Sequence, residues 1–144
     1  MQEVGTLFGQ YKHSIDAKGR LIVPAKLRDE LGDCFYISVA PDTCLTIFTK
    51  TEWQKILDRI NEVSLTEAGG LRYFLGNACQ CEPDKQGRFI LPDHLRNFAG
   101  IQEDVIFLGL GGRGELWAAE LYEEREAEHI TPATIRSALK ELGF

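Results

Sequence analysis

The sequence predicts a mainly β fold with short helices (α+β), in which two internal repeats share one barrel-like core and a helical segment follows. Three observations carry this expectation. A motif recurs at a constant offset of 68 residues. Each copy reads as strand, turn, strand and short helix, and each half alone is too small to hold a stable core. The stretch "DAKGRLIVPAKLR" (16–28) returns as "DKQGRFILPDHLR" (84–96). Asp16, Gly19, Arg20, Ile22, Pro24, Leu27 and Arg28 are matched by Asp84, Gly87, Arg88, Ile90, Pro92, Leu95 and Arg96.

Taken in order, "YKHSID" and "CQCEPD" precede the two motifs, each long enough for one strand. Asp-x-x-Gly then predicts a tight turn whose glycine supplies a positive φ. Arg20-Leu-Ile-Val and Arg88-Phe-Ile-Leu are β-branched or aromatic and read as strands leaving the turns. Pro24 and Pro92 fit the first turn of a helix, where a missing N–H costs nothing. Gly32 and Gly100 are placed to cap those helices. "CFYISVA" and "CLTIF" follow in the first half, "DVIFLGL" and "GELW" in the second, each as a pair of strands. Between the halves, Trp53, Ile56, Leu57, Ile60 and Val63 keep helical spacing, with Thr49 and Glu52 placed as a capping box. Leu71, Phe74 and Leu75 predict a second helix there. Thr131-Pro132 starts a last one, presenting Ile135, Leu139 and Leu142 on one face. The resulting organisation is a first half-domain at 8–53, a helical connector at 54–76, a second half-domain at 77–122 and a C-terminal helical segment at 123–144.

Units of this size are marginal without metal or disulfides, so two of them are expected to interlock around a pseudo-twofold axis. Closing the sheet would also remove its exposed edges. With 44% apolar residues the chain of 144 has material for a shared core. The N-terminus shows no basic stretch before a long apolar run, and no segment reaches the length of a membrane span. A cytoplasmic protein with no membrane partner is the expectation. Cys34, Cys44, Cys79 and Cys81 are then expected to be reduced and packed as small hydrophobes.

The net charge of −6 would argue against a polyanionic partner if it were evenly spread. It is not. Between Gln10 and Arg28 there are five Lys/Arg and one acid, whereas Glu115–Glu128 holds six Glu against one Arg. Arg20, just past a glycine turn, can hold a phosphate or make a bidentate contact with guanine. It can equally pair with Asp16 across its own turn. Lys12, Lys18 and Lys26 are candidates for phosphate contacts, which position a protein without reading sequence. Arg28 and Arg96, at the ends of the short helices, are read first as structural partners of Asp or Glu and second as DNA contacts.

The two motifs, within "GQYKHSIDAKGRLIVPAKLR" and "LGNACQCEPDKQGRFILPDHLR", resemble the MraZ family, from about Leu7 to the C-terminal helix. The resemblance implies tandem AbrB-type half-domains forming a swapped-hairpin, double-psi-like β-barrel. It implies a regulator, generally a repressor, that binds short G-rich direct repeats in double-stranded promoter DNA. The promoters would be its own and that of the division and cell-wall gene cluster. It also implies a nucleoid-associated homo-oligomer, assembled as a ring. The family's Asp-x-Lys-Gly-Arg element falls on Asp16, Lys18, Gly19 and Arg20; Arg88 is the corresponding arginine of the second copy, and Lys85 on the same turn is a further candidate DNA contact. Gln86 stands where Lys18 does, so the copies are expected to contribute unequally.

No enzyme is expected. Barrels of this kind that process themselves need a Gly-Ser pair, and here the serines follow His13, Ile37, Val63 and Arg136. His13, His94 and His129 are scattered, and the glycines at 109–114 lack the Lys-Ser/Thr of a phosphate loop. Cys79-x-Cys81 supplies too few ligands for a structural zinc, so no metal, cofactor or small-molecule substrate is expected. The alternative class is an antitoxin-like AbrB-fold protein that binds DNA and also sequesters a partner protein, with the acidic Glu115–Glu128 segment available to it. A solvated helix face explains that segment more simply.

Overall fold

A computed structural model describes residues 7–64 and 69–144; the N-terminal stretch Met1–Thr6, to which the sequence assigns no role, lies outside them. The first half comprises β1 (Leu7–Ser14), β2 (Arg20–Ile22), a 3-10 turn (Ala25–Leu27) running into α1 (Arg28–Leu31), β3 (Phe35–Val39), β4 (Leu45–Thr49) and α2 (Lys50–Ile60). After α3 (Gly69–Gly76) come β5 (Cys79–Cys81), β6 (Arg88–Ile90), α4 (Asp93–Ala99), β7 (Asp104–Gly111), β8 (Arg113–Ala118) and α5 (Ala119–His129). The last element is α6 (Pro132–Glu141).

The halves exchange strands. A six-stranded antiparallel sheet runs β1-β7-β8-β4-β3-β5, so each half's first strand pairs with the other half's third. The order is the same from either end once the repeats are interchanged. The axis passes between β4 and β8, where Leu45 faces Leu116 and Ile47 faces Gly114. β2 and β6 form a separate two-stranded ribbon on the same axis, with Leu21 opposite Phe89. Reciprocal backbone bonds extend it, Val23 N–H to Gly87 O at 2.8 Å and Leu91 N–H to Gly19 O at 2.9 Å. Leu21, Phe35, Ile37, Leu45, Leu95, Phe107 and Leu116 are completely buried, so one core is built by both halves.

Closure into a barrel does not follow. Among the described residues β1 and β5 remain the two ends of an open sheet. The strands that would bridge them, β2 and β6, are three residues each and spend their hydrogen bonds on one another. The prolines also sit one position earlier than predicted. Pro24 and Pro92 are N-cap residues in extended conformation, and their carbonyls accept the first-turn bonds of Leu27 and Leu95. Gly32 and Gly100 end α1 and α4 with positive φ, as expected. At α2, Thr49 Oγ1 accepts from the Glu52 N–H at 3.2 Å, but the Glu52 carboxylate turns to Lys55 at 2.9 Å. The complete capping box is at α6, between Thr131 and Thr134. Near α2, Trp53 stacks on Tyr36 with ring centroids 5.0 Å apart, and Phe74 of α3 packs on Trp53 and Phe48.

Candidate nucleic-acid interface

Each Asp-x-x-Gly stretch folds as a turn closed by its own carboxylate. Asp16 Oδ1 accepts from the Lys18 N–H at 2.9 Å and the Arg20 N–H at 2.8 Å, while Oδ2 accepts from Arg20 Nε at 2.7 Å. Asp84 repeats this with Gln86 and Arg88, its Oδ2 taking Arg88 Nε at 2.8 Å. Gly19 and Gly87 sit at φ 79° and 81°, the left-handed region that the turn requires. The Arg20 backbone N–H, then its guanidinium, hold the Asp16 carboxyl below the usual carboxylate range. The Arg88 backbone N–H leads the same effect at Asp84. Both readings of Arg20 therefore meet in one geometry: Asp16 takes Nε, and among the described residues no hydrogen bond engages the terminal nitrogens. Each pair is more than a third exposed, so it contributes little stability. Its effect is to aim the fork.

The ribbon sets what the forks share. In the antiparallel register Arg20 lies opposite Ile90 and Ile22 opposite Arg88, so alternation puts all four on one face. Leu21 and Phe89 go down into the core. The outer face thus carries two arginines at diagonal corners and two isoleucines, 41% and 64% exposed. Arg20 and Arg88 both line one shallow cleft of about 410 Å³, together with Gln80, Glu82 and Asp84. The exposed isoleucines were legible as a period-2 pattern, since Leu21 and Phe89 are buried and their neighbours are not. Sequence reasoning nevertheless passed over Ile22 and Ile90 as candidate contacts.

The other predicted cations scatter. Lys18 and Lys85 are exposed on the two turns, and Lys26 is exposed on the 3-10 turn. Lys12 lies on β1 with its ammonium 3.7 Å from Glu123 of α5. Arg28 and Arg96 are structural, as first read, but their bonds go to carbonyls and not to carboxylates. Arg28 Nε donates to Val23 O at 3.0 Å; Arg96 donates to Ile101 O at 3.1 Å and Gln102 O at 2.6 Å. Both helices are short, and the side chains reach loop carbonyls that, among the described residues, take no backbone donor outside the strands and helices. Arg28 also crosses to the other repeat. A Cβ on Gly87 would sit 2.8 Å from its Nε, whereas one on Gly19 would meet only Leu91 O at 3.6 Å. Two arginine forks therefore occupy the second turn and one the first.

Elsewhere the chemistry is structural. Cys34, Cys44 and Cys81 are buried and Cys79 is half-buried, all four as free thiols. A bond from the Cys81 thiol draws Cys79 down to about 7. Burial pushes Cys44 up to about 12. Among the described residues no group of three His, Cys, Asp or Glu could hold a metal ion, and no helix is long and apolar enough to cross a membrane. The glycine run is the β7–β8 hairpin, turning at Gly112, and a side chain at Gly109 would run into the backbone of Leu7 and Phe8 on β1. The acidic stretch is the end of β8 and the outer face of α5, where Arg125 reaches Asp42 at 2.6 Å and lies over Trp117.

The fold and site define a class: two strand-exchanged half-domains presenting an arginine-bearing ribbon on their shared axis. A family model described as "MraZ protein, putative antitoxin-like" matches residues 6–69 and 74–138. The chain belongs to the MraZ family. It is 46% identical over 121 residues to the "Transcriptional regulator MraZ" of Caldanaerobacter subterraneus subsp. tengcongensis, covering 82% of this chain and 85% of that one. The protein of the same name from Thermoanaerobacter pseudethanolicus shows the same identity and coverage. That of Caldicellulosiruptor bescii is 38% identical over 142 residues, 96% of this chain and 99% of the relative.

Proposed function

We propose that this chain is a transcriptional regulator that binds double-stranded DNA in a sequence-specific way through the β2–β6 ribbon. The observation that carries it is the ribbon's outer face, where Arg20, Ile22, Arg88 and Ile90 stand together over a buried Leu21–Phe89 base. The major groove admits a two-stranded β-ribbon, an arginine fork matches guanine O6 and N7, and an isoleucine suits a thymine methyl. Lys18, Lys26 and Lys85 take backbone phosphates, which fix register. The relatives' names supply transcription as the process. The resemblance supplies the rest of the reading: repression, G-rich direct repeats upstream of its own gene and the division and cell-wall cluster, and a ring of subunits. The strand exchange around the ribbon supports a swapped-hairpin relation between the halves.

The test is affinity for a G-rich promoter repeat and for a scrambled duplex across a salt series. Each phosphate neutralised steepens the fall of log affinity with log salt by about 0.9. Tighter binding to the repeat with a steep slope is the expected result. Equal affinity for both duplexes, or a flat salt response, contradicts the reading.

A further inference from the structure

Away from the ribbon, an apolar groove of about 700 Å³ opens between α2, α3 and the β3–β4 hairpin. Val39, Phe48, Ile56, Leu71 and Phe98 line it, Phe98 coming from α4 of the second half. That volume suits a small molecule, and small-molecule sites are mostly apolar with a few polar groups that fix orientation. Three such groups line this one: Thr46, Arg59 and Arg113. Thr46 is the anomaly. Strand alternation sends Leu45 and Ile47 into the core and turns Thr46 and Phe48 to the groove. Among the described residues Ser38 and Thr46 are the buried polar ones, and the Ser38 hydroxyl donates to Phe74 O at 2.6 Å. Thr46 is 7% exposed, and among the described residues no hydrogen bond engages its hydroxyl. Such a group bears its full desolvation cost until a partner arrives. A purely apolar occupant, such as the leucine stripe of a helix, would leave it unpaired.

The arginines supply the sign of the charge. Arg113 lies opposite Phe48 in the β4–β8 pair, its guanidinium 5.7 Å from the ring centroid. Thr46 is two positions from Phe48 on the same face of β4, so hydroxyl and guanidinium stand on neighbouring positions of one wall. Arg59 joins them from α2. Among the described residues neither arginine is in a salt bridge. The acids that share a rim with them are engaged elsewhere. Glu52 holds Lys55 at 2.9 Å, and Asp58 accepts from Gln54 Nε2 at 2.9 Å. Two uncompensated guanidinium groups beside an apolar wall fit a carboxylate head on a hydrocarbon body.

We propose that this groove binds a small amphipathic carboxylate that carries a hydrogen-bonding group close to its head. The hydrocarbon body lies along Ile56, Leu71 and Phe98. The carboxylate meets Arg59 and Arg113, and the second polar group meets the Thr46 hydroxyl. The groove shares no residue with the outer face of the ribbon, so the site is independent of the DNA-binding reading.

The experiment is calorimetric titration of the full chain, without DNA, with three probes kept below their micelle concentrations. Decanoate and 3-hydroxydecanoate differ by one hydroxyl, and decyltrimethylammonium has the same chain length with the opposite charge. Both carboxylates should saturate at one per chain, with 3-hydroxydecanoate tighter by roughly 2- to 12-fold, the range of one hydrogen bond. The cationic probe should bind far more weakly. Arg59→Gln combined with Arg113→Gln should weaken both carboxylates by about 10-fold, since charge-assisted bonds are lost. Thr46→Val should abolish the preference for the hydroxy acid and leave decanoate bound. Melting temperature checks that each variant folds, and both arginines are exposed, so the double variant tests the site even if Thr46→Val misfolds. No saturable binding, or equal binding of the cationic probe, overturns the proposal. So does a folded double-arginine variant that binds decanoate as wild type does, or a folded Thr46→Val that keeps the preference. Failure of all three probes would leave the groove to a macromolecular partner.

Discussion

The two turns share a backbone and differ in what surrounds their arginines. Asp16 and Asp84 hold Arg20 and Arg88 by the same three bonds, within about 0.1 Å of each other. Beyond Nε they part. Arg88 Nη2 is engaged by Gln86 Oε1 at 3.2 Å, and Arg28 lies against Gly87. Among the described residues Arg20 has no such neighbour, because Lys18 stands in the place of Gln86 and carries no acceptor. The charge imbalance read along the chain is also redistributed in space. Of the five cations between Gln10 and Arg28, Lys12 is drawn to Glu123 and Arg28 to the second turn. What separates the turns is therefore less the number of charges than the number of free donors. Among the described residues the second turn's arginine is braced and the first turn's is not.

The largest difference expected in stability comes from the glycines. Placing an alanine at positive φ costs roughly 1–2 kcal/mol at either turn. At Gly87 the new Cβ also displaces Arg28 and its bond to Val23 O, a further loss of about 1 kcal/mol. Thermal melting should rank Gly87→Ala below Gly19→Ala; the opposite order would show that Arg28 is no brace.

A smaller effect, in binding, sharpens the comparison by erasing it. Gln86→Lys releases Arg88 Nη2 and restores the cation that the first turn has. Affinity for promoter DNA should rise, and the log–log salt slope should steepen by about 0.9 if the new ammonium meets a phosphate. An unchanged slope and affinity would mean the second turn does not face the polyanion.

The smallest difference is expected in acid. Both carboxylates sit below their ordinary range, so their contribution to folding is fully present above it, from about pH 4 upward. It is lost as the pH falls through that range toward the native pKa values. Asp16→Asn and Asp84→Asn should each reduce the drop in melting temperature on acidification, and by similar amounts. Unequal drops would break the equivalence of the two backbones.

Sequence reached the parts of this picture that are local. Gly19 and Gly87 mark the turns because only their backbone conformation fits, and Gly32 and Gly100 mark helix ends for the same reason; Thr49 and Thr131 mark helix starts because their hydroxyls accept a first-turn N–H. The strand pairs follow from β-branched runs between turn residues. Contacts between distant residues were not legible. That Arg28 serves the other repeat depends on β2 and β6 pairing across the axis, and that Lys12 meets Glu123 depends on α5 lying beside β1. The open sheet has the same origin, since two three-residue strands satisfy each other and leave β1 and β5 as edges. A helical stripe such as Ile135, Leu139 and Leu142 announces a partner, but its spacing is the same whether that partner is the core or another molecule.

The most direct measurement compares Arg20→Ala and Arg88→Ala on one duplex containing a single G-rich repeat, with melting temperatures alongside. Arg20→Ala should remove a bidentate contact of about 1–3 kcal/mol, roughly a 5- to 150-fold loss of affinity. Arg88→Ala should lose less, and neither should melt far from wild type. An equal or larger loss for Arg88→Ala would contradict the assignment of recognition to the first turn.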